Sequence, residues 1–395
     1  MLAALHLTEP RAPHLTDAQW REALAFANRS QMTLALHADA MPAWVREVIA
    51  GNLANNGERL VRTQALYREI ADCLGGAGVD YVALKGLTQC PMFGAEPRTR
   101  PQYDIDLYCP RESIHAAHGA LLGLGFEPLE GMERFPTDHL PALVRKTGWQ
   151  YRGDVFDPEM PLPIELHFQF WNGGLERIAS SGVEEFWGRR TVRPLTGLPA
   201  LDAPDALAYA CLHLLKHVLR GSARPFHVYE IACFLHQHAD DVAFWERWQR
   251  LHPPGLRRLQ AVAFRLSREW FGCPAGPVEL PAAVRAWFHR FALSPAAVPF
   301  DSNKDELYLH FSLLSSRRDA LAVARRRLLP RSLPAAVDSA YVPDAAMTPA
   351  IQLRKRVRWL AYTVRRVMHH VAALPRVLRS GALWWWQRKA SGDII

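Results

Sequence analysis

The stretch YVALKGLTQCPMFGAEPRTRPQYDIDL, Tyr81 to Leu107, decides how the chain is read. Residues 79–84 (VDYVAL) form a β-prone apolar run that ends on Lys85 and Gly86. A short helix or turn near Leu87 and a Pro/Arg loop lead to a second strand carrying Asp104 and Asp106. Side chains two apart on a strand leave the same face. Asp104 and Asp106 therefore project together, with Ile105 and Leu107 turned into a core, and two such carboxylates make a ready divalent-cation site. At the other end, glycine lets the backbone approach a ligand closely. The free amides of the helix beyond it would face a phosphate there, and Lys85 stands where it would neutralise one.

Working outward, Pro110-Arg111-Glu112 carries helix-opening residues, and Ala116, Ala117, Ala120, Leu121 and Leu124 supply an apolar stripe that Gly125 ends. An apparent strand near Trp149 to Tyr151 precedes a strong one from Leu162 to Phe170. On that strand Glu165, His167 and Gln169 share one face, and Ile164, Leu166, Phe168 and Phe170 the other. Glu165 is thus a third carboxylate on a nearby strand, and His167 reads as a hydrogen-bonded sheet histidine supporting it. Upstream, residues 14–76 read as helices. Thr16 and Gln19 fit a capping box, ahead of Trp20, Ala23, Leu24, Phe26 and Ala27. A longer helix is expected after an Asn55-Asn56-Gly57 break, with Leu66, Ile70, Cys73 and Leu74 on one face and Gly75, Gly76 and Gly78 at its end. With no clustered acid, histidine or glycine-rich loop, this region reads as a packing layer.

Composition limits what the site can belong to. The chain has 395 residues, 49% hydrophobic and 22% charged, ordinary for a soluble protein with a large core. The net charge of +8 is uneven: residues 351–395 hold ten Lys/Arg against Asp393, a tail of +9 that leaves −1 for everything before it. The basic character thus belongs to the tail, and sequence-specific nucleic-acid binding is not expected. Cys73, Cys90, Cys109, Cys211, Cys233 and Cys273 form no CxxC pair and read as reduced core residues of a cytoplasmic protein. The N-terminus lacks the pattern of a signal peptide, and no uncharged run reaches transmembrane length.

The second half reads as helical. Residues 188–204 are Pro/Gly-rich and are expected as a connector. Asp205 to Leu219 then forms a helix burying Ala208, Cys211, Leu212, Leu215, Val218 and Leu219. Its His213 and His217 have the i, i+4 spacing of a metal-binding pair, yet no third ligand stands at a diagnostic spacing; the pair instead suits the acceptor side of a cleft. His227, His236 and His238 add little. Trp245 and Trp248 read as packing residues. Helices with Arg-rich faces (Arg317, Arg318, Arg325, Arg326, Arg327) come next, broken at Pro330 and Pro334, and the stretch from Pro334 to Pro349 is looser. In the tail, Leu353, Val357, Leu360, Val364, Val367 and Met368 recur at helical spacing between cations, ahead of Leu383-Trp384-Trp385-Trp386. A basic amphipathic helix ending in tryptophans suits an anionic membrane surface or an acidic partner; docking of the stripe on the body is the alternative. The expected organisation is an N-terminal helical region (1–76), an α+β core (77–187), a linker (188–204), a helical domain (205–334) and a basic tail (335–395).

ALKG (83–86), RPQYDIDL (100–107), LGF (124–126) and IELHF (164–168), in this order, resemble an uncharacterised nucleotidyltransferase family with a Lys-Gly signature, within the DNA polymerase β-like superfamily. The flanking helices and the segments LHLLKH and FHVYEIACFL extend the resemblance over roughly residues 15–250. It implies a minimal nucleotidyltransferase fold of a small mixed sheet with helices. Asp104, Asp106 and Glu165 would hold Mg²⁺ or Mn²⁺, with Glu165 also a candidate base. Lys85 and Gly86 would form the phosphate-facing turn, and Arg100 corresponds to the Arg four residues before the first Asp. Glu230 falls where the family carries an acid in its second domain, suited to orienting a basic residue or the acceptor. The implied substrate is a nucleoside triphosphate, ATP in the first instance; the acceptor is not legible. Two departures stand out. Leu87 comes after Gly86 where the superfamily has a hydroxyl, and Tyr103 fills a position usually small, where it would narrow the pocket or stack on a base. They keep open a nucleotide-binding regulator without turnover. The tail keeps open an interaction protein, cytoplasmic or peripheral at a membrane.

Overall fold

The computed structural model describes residues 2–11, 14–36, 41–94, 96–129, 138–274, 276–291, 305–328 and 341–390. Helix α1 (Asp17–Ser30) begins with both arms of the expected capping box: the Thr16 hydroxyl accepts from Gln19 N, and the Gln19 side chain accepts from Thr16 N at 2.9 Å. Helix α2 (Ala43–Gly76) departs from expectation, running 34 residues straight through Asn55-Asn56-Gly57. Asn56 is buried and donates to the carbonyls of Arg98 (2.7 Å) and Arg100 (3.4 Å), so tertiary partners outweigh weak local propensity. The helix ends at the expected glycines, Gly78 taking φ +66°.

The sheet is built from β1 (Val82–Ala83), β2 (Ile105–Tyr108), then α3 (Ile114–Gly123), β3 (Glu127–Pro128), β4 (Leu143–Val144) and β5 (Ile164–His167). After α4 (Gly173–Glu176), the hairpin β6 (Thr191–Val192) and β7 (Pro199–Ala200) completes it. The order is β3-β4-β5-β2-β1-β7-β6; β2 runs parallel to β5 and antiparallel to β1, and β7 runs parallel to β1. Three local readings need correction. Residues 188–204, expected as a connector, contain the β6–β7 hairpin, because Ala200 pairs with Ala83. Among named strands, β4 falls at Leu143–Val144 rather than 149–151; Gly148 and Trp149 instead pair through their backbones with Tyr341 (2.8 and 2.9 Å). Helix α3 starts at Ile114, after a turn in which Pro110 O accepts from Ser113 N, and leaves Ala116 exposed.

Strand parity sorts the core into two layers. Ala83, Ile105 and Leu107 face Tyr67, Ile70 and Leu74 of α2 and Ile114, Ala117 and Leu121 of α3. Val82 and Leu84 face the opposite way, into a larger core shared with α1 and the helical half. That half comprises α5 (Ala203–Arg220), α6 (Pro225–Gln237), α7 (Val242–Leu251), α8 (Pro254–Phe271), α9 (Ala282–Phe291), α10 (Glu306–Leu313) and α11 (Arg317–Leu328). α5 buries the six apolar residues expected of it, and Trp248 is core as read. Pro330, Pro334 and residues 334–340 lie outside the described residues. The tail forms one long helix, α12 (Pro349–Ala390). Among the described residues no helix is long and apolar enough to cross a membrane.

Candidate active site

Parallel pairing of β2 with β5 sets Asp106 beside Glu165 and Tyr108 beside His167. Asp106 is buried, whereas the Glu165 side chain is 26% exposed. His167 Nε2 lies 3.0 Å from Asp106 Oδ1 and 3.6 Å from Glu165 Oε2. From the end of β1, Lys85 Nζ reaches Asp106 Oδ2 at 3.1 Å and Asp104 Oδ2 at 3.2 Å. Behind His167, Asp138 approaches Nδ1 at 3.8 Å and is paired with Lys216 of α5 at 2.9 Å. His139 Nε2 lies 3.7 Å from Glu165.

Burial penalises each charge here, and the partners overcome it. Burial pushes Lys85 down, but Asp104, Asp106 and Glu165 hold it well above the usual lysine value. Burial pushes Asp106 up, yet Lys85 and the His167 hydrogen bond keep it below the ordinary carboxylate range. The neighbouring imidazoles, His167 at 3.6 Å first and then His139, likewise prevail over burial at Glu165 and bring it to about 2. His167, pushed down by burial and up by its hydrogen bond to Asp106 and by the nearby Glu165 carboxylate, rises to about 9. The cluster therefore carries fixed charges of both signs at neutral pH.

Asp106, Glu165 and His167 each offer an atom, all within 4.8 Å of one another, the only such group among the described residues. Asp106 Oδ2 is buried without an aligned hydrogen bond. Two carboxylates, with Asp104 joined through Lys85 and with His167 once a bound cation displaces its proton, fit a small divalent cation, and the imidazole then widens the choice from Mg²⁺ toward Mn²⁺. The expected trio is thus brought together in part. Asp106 and Glu165 are neighbours, Asp104 stands at the more open edge with 37% exposure, and His167, expected only as support, sits among the candidate ligands.

The Lys85-Gly86 turn is tightly specified. Gly86 has φ +76°, and a Cβ there would fall 2.6 Å from the Gln102 side chain. Gln102 in turn donates to Tyr67 Oη (2.9 Å) and Asp104 O (2.8 Å). Leu87 is buried, and the Thr88 hydroxyl turns inward to Lys85 O at 3.1 Å. The loop before Asp104 hangs from α2: Arg59 donates to Gln102 O at 2.7 Å and lies over the Tyr103 ring at 5.1 Å. So the helix read as a packing layer positions the site.

Arg100 is buried, and Glu230 of α6 takes it in a two-point pair, Nε–Oε1 2.6 Å and Nη2–Oε2 3.2 Å, with Gln89 accepting from Nη2 at 3.0 Å. It lines the cleft, but its donors are engaged in tying the loop to the helical half. Glu230 does what one of its two expected roles required.

A cleft of about 530 Å³, including space open to solvent, lies between this turn and the helices, lined among others by Lys85, Tyr103, Asp104, His213, His217 and His227. His213 Nε2 is 3.5 Å from Lys85 Nζ and 3.2 Å from His217 Nε2. His227, given no role from sequence, brings its ring 5.0 Å from that of His213. Burial and then nearby cations, Lys85 among them, hold all three well below the ordinary histidine value, so they stand neutral. Among the described residues they join no three-ligand metal group. The short turn after Gly221 (φ +67°) was the available signal, since it folds α6 back against α5.

Carboxylates on adjacent parallel strands, a Lys-Gly turn at the end of a third and a helical wall facing them define a nucleotidyltransferase core, and with it a class of transferase. The chain belongs to an uncharacterised nucleotidyltransferase family, whose profile matches residues 16–272, from the cap of α1 to the end of α8. No curated protein and no solved structure matches it.

Proposed function

We propose that the chain transfers a nucleoside monophosphate from a nucleoside triphosphate, ATP in the first instance, to a hydroxyl or phosphate acceptor, with Mg²⁺ or Mn²⁺ held by Asp104, Asp106 and Glu165. The supporting observation is the side-by-side register of Asp106 and Glu165, with Lys85 reaching Asp106 from the cleft that it lines together with Asp104. Held by these carboxylates, such a cation would supply positive charge for the entering and leaving oxygens of an in-line displacement at phosphorus. An acceptor oxygen bonds to the α-phosphorus, the α–β bridge breaks, and pyrophosphate leaves. Lys85, which lines the cleft, exchanges an aspartate for a phosphate oxygen. Arg100, through its pair with Glu230, keeps the loop that carries Asp104 against α6. Glu165, at about 2, is a weak base, so it holds the cation first and takes the acceptor proton second. Neutral His213, His217 and His227 offer hydrogen bonds to the acceptor. Six unpaired cysteines suit a reducing compartment, and we place the protein in the cytoplasm.

A nucleotide-binding regulator without turnover is the second reading. It is favoured by Lys85 bridging both aspartates and by the buried Leu87. Incubation with each nucleoside triphosphate, Mg²⁺ or Mn²⁺ and candidate acceptors, with mass analysis of the products, separates the two. A mass-shifted product absent in Asp104→Ala and Asp106→Ala is the expected result. Nucleotide binding by the intact chain with no product under any condition selects the regulator.

A further inference from the structure

Helix α12 presents an apolar row that nothing among the described residues covers. It runs from Leu353 through Val357, Leu360, Val364 and Val367 to Leu378, in alternating steps of four and three up to Val367. These six side chains are between 48 and 63% exposed. The row is exposed although the helix is docked. Val377 and Trp384 are buried, Trp384 lies 5.4 Å from the Tyr308 ring, the Tyr308 hydroxyl donates to Val377 O, and Gly381 is the close-approach point. One side of α12 thus holds the body while another faces out.

What the row meets is decided by charge. Residues 349–390 contain no acid, and Arg358, Arg365 and Arg379, all exposed, recur at multiples of seven alongside the row. A second copy seated on the same face would bring two such helices together with no carboxylate between them, unlike paired helices that match acids with bases. An anionic bilayer answers both features, taking apolar side chains below the headgroups and guanidinium groups at their level. Trp385 and Trp386, 57 and 66% exposed, are interfacial residues at the end of the row.

We propose that α12 seats the protein on anionic phospholipid surfaces, lying in the interface without crossing it. The test is co-sedimentation of the full chain with phosphatidylcholine vesicles, with and without phosphatidylserine. Binding should require phosphatidylserine and fall as salt rises. Each arginine near such a surface strengthens binding about fivefold, so R358S/R365S/R379S should bind roughly a hundredfold more weakly. V364E/V367E should lose binding while keeping the wild-type melting curve, its positions being exposed. If that variant is destabilised, the wild-type comparison between the two vesicle types still decides. Equal binding to both vesicles, absence of binding to either, lipid-independent self-association in sedimentation velocity, or tighter binding to duplex RNA than to vesicles would each overturn the proposal.

Discussion

Asp106 is held by two cations at once, Lys85 on one oxygen and His167 on the other. Asp106→Asn keeps the shape and removes the charge; transfer should fall at least about a hundredfold, read as product formed per minute at saturating nucleotide. His167 rises to about 9 when folded, above its unfolded value. In chelator-treated protein its contribution to stability is therefore complete below the unfolded histidine pKa near 6.5 and lost as pH climbs through about 9. Denaturant midpoints across that window should decline, and His167→Gln should flatten the decline. Gly86→Ala should destabilise by about 1–3 kcal/mol through its positive φ, plus the collision with Gln102. Adding Gln102→Ala should relieve only the collision, as thermal melts of the single and double variants would report. At this scale much was legible. Strand parity marks Asp104, Asp106 and Glu165, and the Lys-Gly pair closing an apolar strand marks Lys85 and Gly86. The place of His167 was not legible, because its contact with Asp106 depends on β2–β5 register, which parity on one strand cannot give.

Elements make the same point through Arg100 and Glu230. Each looked like a site residue on its own strand-flanking loop or helix, and only their packing shows the pair closed on itself. Arg100→Ala or Glu230→Ala should cost about 3–5 kcal/mol, since each leaves a buried charge alone. Nucleotide affinity of the surviving folded fraction then tells whether Arg100 also touches substrate. Helix α2 shows how local signals mislead: Asn55-Asn56-Gly57 reads as a break, but Asn56 finds two backbone carbonyls 42 and 44 positions away. Within the expected connector at 188–204, the β6–β7 hairpin was missed for the reverse reason. Its strands are two residues each, too short for periodicity to register, and they exist because the edge of β1 was free to receive Ala200.

For the molecule as a whole, the boundary between sheet and helices is a working surface rather than a seam. Lys216 of α5 neutralises Asp138, Glu230 of α6 holds Arg100, and the histidines of both helices face Lys85. The helical half therefore pairs with residues of the candidate site instead of merely covering them. Trp384 is buried against Tyr308, so Trp384→Ala, a loss of about 3–5 kcal/mol at its site, should loosen α12 selectively. Amide exchange should quicken along α12 and stay slow in β2 and β5. The α+β character and the helical second half were legible from composition and periodicity. Which face of α12 docks was not, since both faces carry apolar residues and the choice is made by partners on α10, Tyr308 and Phe311 among them.

The contact between Asp106 and His167 spans 61 positions, and that between Arg100 and Glu230 spans 130. Contacts this distant carry the chain-entropy cost of closing long loops. A nascent chain stopped short of α6 would carry every carboxylate of the site and no partner for Arg100. Synthesis itself thus orders events: the loop that carries Arg100 gains its carboxylate partner only once α6 has been made.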